Sequence, residues 1–157
     1  MAKSTLLKSS IARKVAMALS GLFLIMFLSL HFFINMVSVF SADAFNEMSH
    51  FMGYNPLIQF VMQPILIVGV VFHFVMGFVL ELKNRSARPI AYVKYNGAAN
   101  ASWASRNMII SGLVVLAFLG LHFYDFWVHE MVYKYVEVNA IEESRYYTEL
   151  VAKFESP

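Results

Sequence analysis

Residues 15–40 read VAMALSGLFLIMFLSLHFFINMVSVF and contain no charged side chain. A helix needs ~20 apolar residues to cross the ~30 Å hydrocarbon core of a bilayer, so this run is long enough for one transmembrane span. Lys8, Arg13 and Lys14 precede it, as basic residues precede a signal peptide. The run is nevertheless much longer than the ~7 to 15 apolar residues of a signal sequence, so an uncleaved membrane helix is predicted.

Two further apolar stretches, at about residues 57–82 and 107–128, are also long enough to span a membrane. The whole chain is 59% hydrophobic and 14% charged, whereas soluble domains carry about 25% charged residues. The predicted fold class is therefore all-α: an integral membrane helical bundle with three transmembrane helices, forming one membrane-anchor domain over residues 1–157. A formal net charge of +2 gives no indication of nucleic-acid binding.

The distribution of basic residues predicts the orientation of the helices. Lys and Arg cluster before the first stretch and between the second and third, at Lys3, Lys8, Arg13, Lys14, Lys83, Arg85, Arg88, Lys94 and Arg106. The segment 41–55 carries Asp43 and Glu47 and neither Lys nor Arg. By the positive-inside rule the N-terminus is cytoplasmic, and segments 41–55 and 129–157 lie on the outer side. The mixed charges of the last segment favour a short surface helix before Pro157.

Histidine is the main candidate for cofactor chemistry, because the chain has no cysteine and so no thiolate ligand for zinc or an iron–sulfur cluster. His31 lies seventeen residues beyond Lys14, and His122 lies sixteen beyond Arg106. At 1.5 Å per residue, both are roughly 24 to 26 Å above the cytoplasmic side. His73 precedes Lys83 by ten residues on the oppositely directed helix, which places it only about 15 Å above that side.

Two imidazoles at one depth on parallel helices suit the two faces of a haem iron. His31 and His122 are therefore the predicted ligands of an outer haem, and His73 is a predicted ligand of an inner one. A histidine inside a span is a candidate functional residue, but the alternative for each is a hydrogen bond to a neighbouring helix.

Small residues mark the depth of His73. Gly69 and Gly77 lie four residues before and after it on one helical face. The sequences SGLFLIMFLSLHF (20–32) and SGLVVLAFLGLHF (111–123) repeat Ser-Gly-Leu and Leu-His-Phe, and each serine lies eleven residues before its histidine. The predicted haem-packing residues are Ser20, Gly21, Gly69, Gly77, Ser111 and Gly112. Ordinary packing of small residues and chance similarity of two apolar helices are the alternatives.

The outer side carries the remaining candidates. Asp43 and Glu47 are predicted acceptors for protons released by a quinol, although acidic outer segments are also expected from topology alone. His50 and His129 are expected to be solvated or interfacial, with His129 as the substitute ligand if the depth of His122 is misjudged. Pro64 is expected to kink the second helix.

The stretches SSIARKVAMALSGLFLIMFLSLHFFIN, VVFHFVMG and LGLHFYDFW resemble the cytochrome b membrane anchor of bacterial dihaem succinate dehydrogenases and fumarate reductases. The resemblance extends from Ser9 to about Trp127. It implies that His31 and His122 hold the distal, outer haem b and that His73 is one ligand of the proximal, inner haem. That family has five spans and takes the second proximal ligand from the fourth. Here three spans precede Pro157, so either further spans follow or another chain supplies that ligand.

The resemblance also implies partners and a location. A flavoprotein and an iron–sulfur protein would bind at the cytoplasmic face, and menaquinone would be the quinone in the lipid. The expected function is electron transfer between succinate dehydrogenase or fumarate reductase subunits and quinone, in the respiratory chain of a bacterial cytoplasmic (inner) membrane. Such complexes could also form a dimer. The alternative is a haem-free membrane anchor or interaction subunit.

Overall fold

The computed structural model describes residues 9–87, 90 and 96–155. These residues form helices and connecting turns, with no strand among them. Three helices are long and apolar enough to cross a membrane: Ser10–Val37, Ile58–Ser86 and Met108–Val136. The prediction of an all-α chain with three membrane-spanning helices is confirmed at this level. Five residues named above lie outside the described ranges: Lys3, Lys8, Arg88, Lys94 and Pro157.

Helix α1 is the first long helix, Ser10–Val37. Ser9 caps its N-terminus, because the Ser9 hydroxyl accepts a hydrogen bond of 3.2 Å from the Ile11 amide. Serine is a favoured N-cap residue, since it satisfies an amide that has no partner within the helix. After Val37 the chain turns at residues 38–40 and enters the next helix.

Segment 41–55 is helical rather than an open loop. Helix α2 is Ala42–Tyr54, with the Ser41 hydroxyl accepting from the Ala44 amide and Asp43 in the first turn. A carboxylate at this position favours the helix start through the helix dipole. These are local capping signals, which a search for long apolar runs does not register.

The second long helix begins with a wide π turn, Ile58–Met62, and continues as α3, Gln63–Ser86. Pro64 lies two residues after the end of this turn. It has no amide donor, and its ring crowds the carbonyl four residues earlier. Such π turns occur mostly as single-turn interruptions of α-helices. The kink expected at Pro64 stays a prediction.

The third long helix extends about two turns beyond the predicted end at residue 128. The short helix α4, Trp103–Arg106, precedes this long helix. The long helix itself consists of four segments: α5 (Met108–His122), a π segment (Phe123–Val128), α6 (His129–Met131) and a second π segment (Val132–Val136). Glu130 and Lys134, one turn apart, form an ion pair of 2.5 Å. The pair neutralises the charges at which the apolar run ends, so the helix continues through them.

The C-terminal helix α7, Arg145–Glu155, packs against α2. It confirms the short helix predicted before Pro157. The most buried described residues lie here: Phe45, Asn46 and Arg145, exposed by only 4 to 7%. Because α2 and α7 are in contact, the segments that follow the first and third long helices lie against each other.

The chain divides into two compact units, residues 1–73 with 141–157, and residues 74–140. Ser20, His31 and His73 belong to the first unit, and His122 belongs to the second.

Candidate functional site

The best-defined polar contact inside the long helices joins Ser20 of α1 to His73 of α3. Ser20 Oγ lies 2.8 Å from His73 Nδ1, and the same Oγ lies 2.9 Å from the carbonyl oxygen of Met17. Both distances are within the normal range for hydrogen bonds. The imidazole is half-buried, and Ser20 is its hydrogen-bond partner within the described part of the chain.

Glycine at position 21 brings this imidazole against the backbone of α1. A Cβ atom added to Gly21 would lie 3.3 Å from His73 Cε1, closer than most side-chain contacts allow. The sequence predicts that Ser20, Gly21 and His73 lie at one depth. The structure brings them into direct contact, with the ring occupying the space that a larger side chain would fill.

Gly69 provides a second close approach between the same helices. A Cβ atom at Gly69 would lie 2.9 Å from Cε1 and 3.2 Å from Cδ1 of Phe23. The aromatic ring of Phe23 therefore covers Gly69 on this side. The predicted role of Gly69 in haem packing stays a prediction, and the contact that the structure provides is helix packing.

His31 lies on the same half-buried stripe of α1 as Ser20 and Phe27, whereas neighbours such as Leu22 and Leu30 are exposed. The Asn35 side-chain amide donates to the His31 carbonyl at 2.8 Å and lies 3.4 Å from His31 Nε2. The second distance is longer than an ordinary hydrogen bond. Asn35 therefore bonds mainly to the backbone and only approaches the ring.

Phe27 and Phe118 contact the two predicted outer ligands and were not singled out in the sequence. The Phe27 and His31 rings stack with centroids 5.5 Å apart and planes at 18°. The Phe118 and His122 rings stack at 5.6 Å and 19°. The signal was present, because the repeat reads FLSLH at 27–31 and FLGLH at 118–122, and residues four apart share a helical face. Phe126 adds a second ring near His122, at 4.9 Å.

The second copy of the Ser-Gly pair differs from the first in its contacts. The Ser111 hydroxyl lies 3.1 Å from the Met108 carbonyl and 3.4 Å from that of Asn107, both on its own helix. A Cβ atom at Gly112 would meet nothing within 4 Å.

Gly77 follows His73 on α3 by one turn, as the sequence implied.

The candidate proton acceptors, Asp43 and Glu47, are both exposed on α2. His50, which the sequence predicts to be solvated or interfacial, is half-buried on α2 and contacts the C-terminal segment. Its Nε2–H donates to the Glu143 carbonyl at 3.0 Å, and its ring contacts those of Tyr54 and Tyr146. The cause is the docking of α7, which the apolar pattern of the sequence does not indicate.

Asn46 makes a polar contact between α2 and α7. Its side-chain oxygen accepts a hydrogen bond of 2.8 Å from the Tyr147 amide, near the start of α7. The Phe45 and Tyr147 rings meet edge to face alongside it. His50 and Asn46 therefore hold the C-terminal segment against α2.

The described residues contain no cluster of three or more His, Cys, Asp or Glu side chains that could hold a metal ion by themselves. Haem needs only one imidazole on each face, because the porphyrin supplies the other four ligands. No family model, curated protein or solved structure matches the chain. The resemblance to cytochrome b anchors thus stays a prediction from the residues themselves.

Proposed function

We propose that this chain is a haem b-carrying membrane anchor that passes electrons between a cytoplasmic succinate dehydrogenase or fumarate reductase and membrane quinone, with menaquinone as the expected quinone. His31 and His122 would hold the outer haem, and His73 would supply one ligand of the inner haem. When bound, haem supplies an iron that carries one electron at a time. The protein's part is to hold imidazoles at the right depth and in the right orientation.

The observation that carries the proposal is the state of His73. Its Nδ1 is bonded to Ser20, while Nε2 has no hydrogen-bond partner among the described residues. A polar atom left in an apolar membrane interior without a partner is costly, so the arrangement favours a ligand at Nε2. Haem-ligating histidines are usually held at the other ring nitrogen in this way.

The stacks of His31 on Phe27 and of His122 on Phe118 add support, because they restrict both imidazoles in a similar manner. The residues fit haem b better than a bare metal ion, which would need more side-chain ligands at one point. The flavoprotein and iron–sulfur subunits would bind near the basic residues Arg13, Lys14 and Arg106. Asp43 and Glu47, exposed on α2, would take up protons from a quinol oxidised at the outer side.

A haem-free anchor is the second candidate, and one observation favours it. Phe23 covers Gly69 and the His73 ring covers Gly21, so both glycines are explained by helix packing alone. In that case His73 would be an interhelical hydrogen-bond donor or acceptor, and its Nε2 would meet a helix of a partner subunit.

Optical spectra of the assembled complex distinguish the two candidates. The reduced-minus-oxidised spectrum should show a b-type α band, and extracted haem should be counted per chain. His31→Ala and His122→Ala should each remove the same haem, whereas the matched control His129→Ala should remove none. An assembled complex without the α band would rule out the haem-carrying function. Loss of different haems in the His31 and His122 variants would rule out their pairing.

A further inference from the structure

The Ser20 hydroxyl has one proton and two neighbours that could receive it. Oγ lies 2.9 Å from the Met17 carbonyl oxygen and 2.8 Å from His73 Nδ1. A carbonyl oxygen can only accept, so the contact with Met17 is a hydrogen bond only if Ser20 donates to it. The proton is then used, and Ser20 can only accept from the imidazole.

We infer that Ser20 fixes neutral His73 as the tautomer with its proton on Nδ1, so that Nε2 keeps its lone pair. In this state Nδ1–H donates to Ser20 Oγ and Ser20 Oγ–H donates to the Met17 carbonyl. Every proton in the chain of contacts has an acceptor. Ser20 is thus a positioning residue that acts through His73, rather than a packing residue alone.

The other tautomer leaves the same groups less well satisfied. If Nδ1 carried the lone pair, Ser20 would donate to it and lose its bond to the Met17 carbonyl. The proton would move to Nε2, for which the described residues provide no acceptor. A donor without an acceptor in an apolar interior costs free energy, so this tautomer is disfavoured.

The inference deepens the proposed function and, for its consequence at a haem, rests on it. Iron binds the nitrogen that carries the lone pair, and Nε2 in this tautomer is that nitrogen. A hydrogen bond donated by Nδ1–H also makes the ring a stronger electron donor. Ser20 should therefore favour ferric iron and lower the reduction potential of a haem held by His73.

Nitrogen NMR tests the tautomer without any haem. The full-length chain is labelled with ¹⁵N-histidine, produced without haem supply, and recorded in detergent micelles at a pH where the imidazoles are neutral. The two tautomers have distinct nitrogen shifts, and His73→Gln identifies the signal. A single hydrogen bond of about 1.4 kcal/mol gives a preference of about tenfold for Nδ1–H.

The expected results differ between matched variants. Ser20→Thr, which keeps the hydroxyl, should keep the preference, whereas Ser20→Ala should lose it. Ser111→Ala, the same change in the second copy of the repeat, should leave the His73 signal unchanged. A wild-type His73 with its proton on Nε2 would overturn the inference, and so would an unchanged preference in Ser20→Ala. The wild-type spectrum decides the tautomer even if the alanine variant does not fold.

Potentiometry of the haem-loaded complex provides the second readout. Ser20→Ala should raise the reduction potential of the His73-bound haem, whereas Ser20→Thr should keep it at the wild-type value. The reduction potential of the other haem should stay the same in both variants. A lowered or unchanged potential would contradict the role toward haem. A complex that binds no haem would refute the proposed function instead, while the NMR result would stand by itself.

Discussion

Gly69→Ala should destabilise the packing of α1 on α3 by a predictable amount. The added Cβ would lie 2.9 Å from Phe23 Cε1 and 3.2 Å from Cδ1. Carbon atoms prefer separations of about 3.5 to 4.0 Å, so the ring must move by roughly 0.6 to 1 Å. Phe23 carries a rigid ring on α1, so the ring can move only by a change of its side-chain torsions or a shift of the helix.

Overpacking of this kind costs about 1 to 3 kcal/mol. Alanine is also a better helix former than glycine by up to about 1 kcal/mol, which opposes the loss. Gly112→Ala is the matched control, because its Cβ would meet nothing within 4 Å and only the helix-forming gain applies. The difference between the two variants cancels that gain and should be about 1 to 3 kcal/mol, or about 5- to 150-fold in the unfolding equilibrium.

The measurement is unfolding of the detergent-solubilised chain by a denaturing detergent, followed by tryptophan fluorescence and circular dichroism. Gly69→Ala should unfold at lower denaturant than wild type, and Gly112→Ala at the same or higher denaturant. Phe23→Leu should recover part of the loss in the Gly69→Ala background, because the shorter side chain leaves room for Cβ. Equal stability of the two alanine variants would refute the close approach of Phe23 to Gly69.

Two further predictions concern other contacts. Asn46→Ala should release α7, because the Tyr147 amide loses its acceptor at a cost of about 1 to 3 kcal/mol, whereas Asn46→Asp, which keeps an acceptor, should retain it. Trypsin should cleave α7 faster in the alanine variant, and equal cleavage would contradict the contact. Phe27→Leu should broaden the electron spin resonance signal of the ferric outer haem, because the His31 ring loses its stacked neighbour, while Phe33→Leu should not. An identical signal in both variants would remove the orienting role of Phe27.

The long helices were predictable because a helix that crosses a bilayer needs about 20 apolar residues, and a run of that length is easily recognised in a sequence. Residues 15–40 and 57–82 correspond to Ser10–Val37 and Ile58–Ser86, with differences of a few residues at the ends. The third helix continues past the predicted span end at residue 128, because Glu130 and Lys134 neutralise each other. Helix α2 was missed as a helix because Ser41 and Asp43 signal it through caps rather than through hydropathy.

For the candidate site, depth was predictable but contacts were not. Counting residues from basic anchors placed Ser20, Gly21 and His73 in one layer, and the structure joins them. Nothing in the spacing showed that Phe23 would cover Gly69, since this depends on how the two helices are rotated about their axes. The packing of His50 likewise depends on α7, which lies more than ninety residues further along the chain.

The two Ser-Gly pairs show why a repeated motif does not imply a repeated site. Both create a notch at a helix surface, because glycine has no side chain and serine returns its hydroxyl proton to the preceding turn. At Gly21 the notch is filled by the His73 ring, whereas at Gly112 a Cβ would meet nothing within 4 Å. The Ser20 hydroxyl consequently has a second partner, His73 Nδ1, which can only donate to it. This requirement selects the tautomer with its proton on Nδ1. The same residue types therefore act differently in the two copies. Ser20 and Gly21 contact a histidine because its ring enters the notch, whereas the Ser111 hydroxyl bonds only to the preceding turn of its own helix.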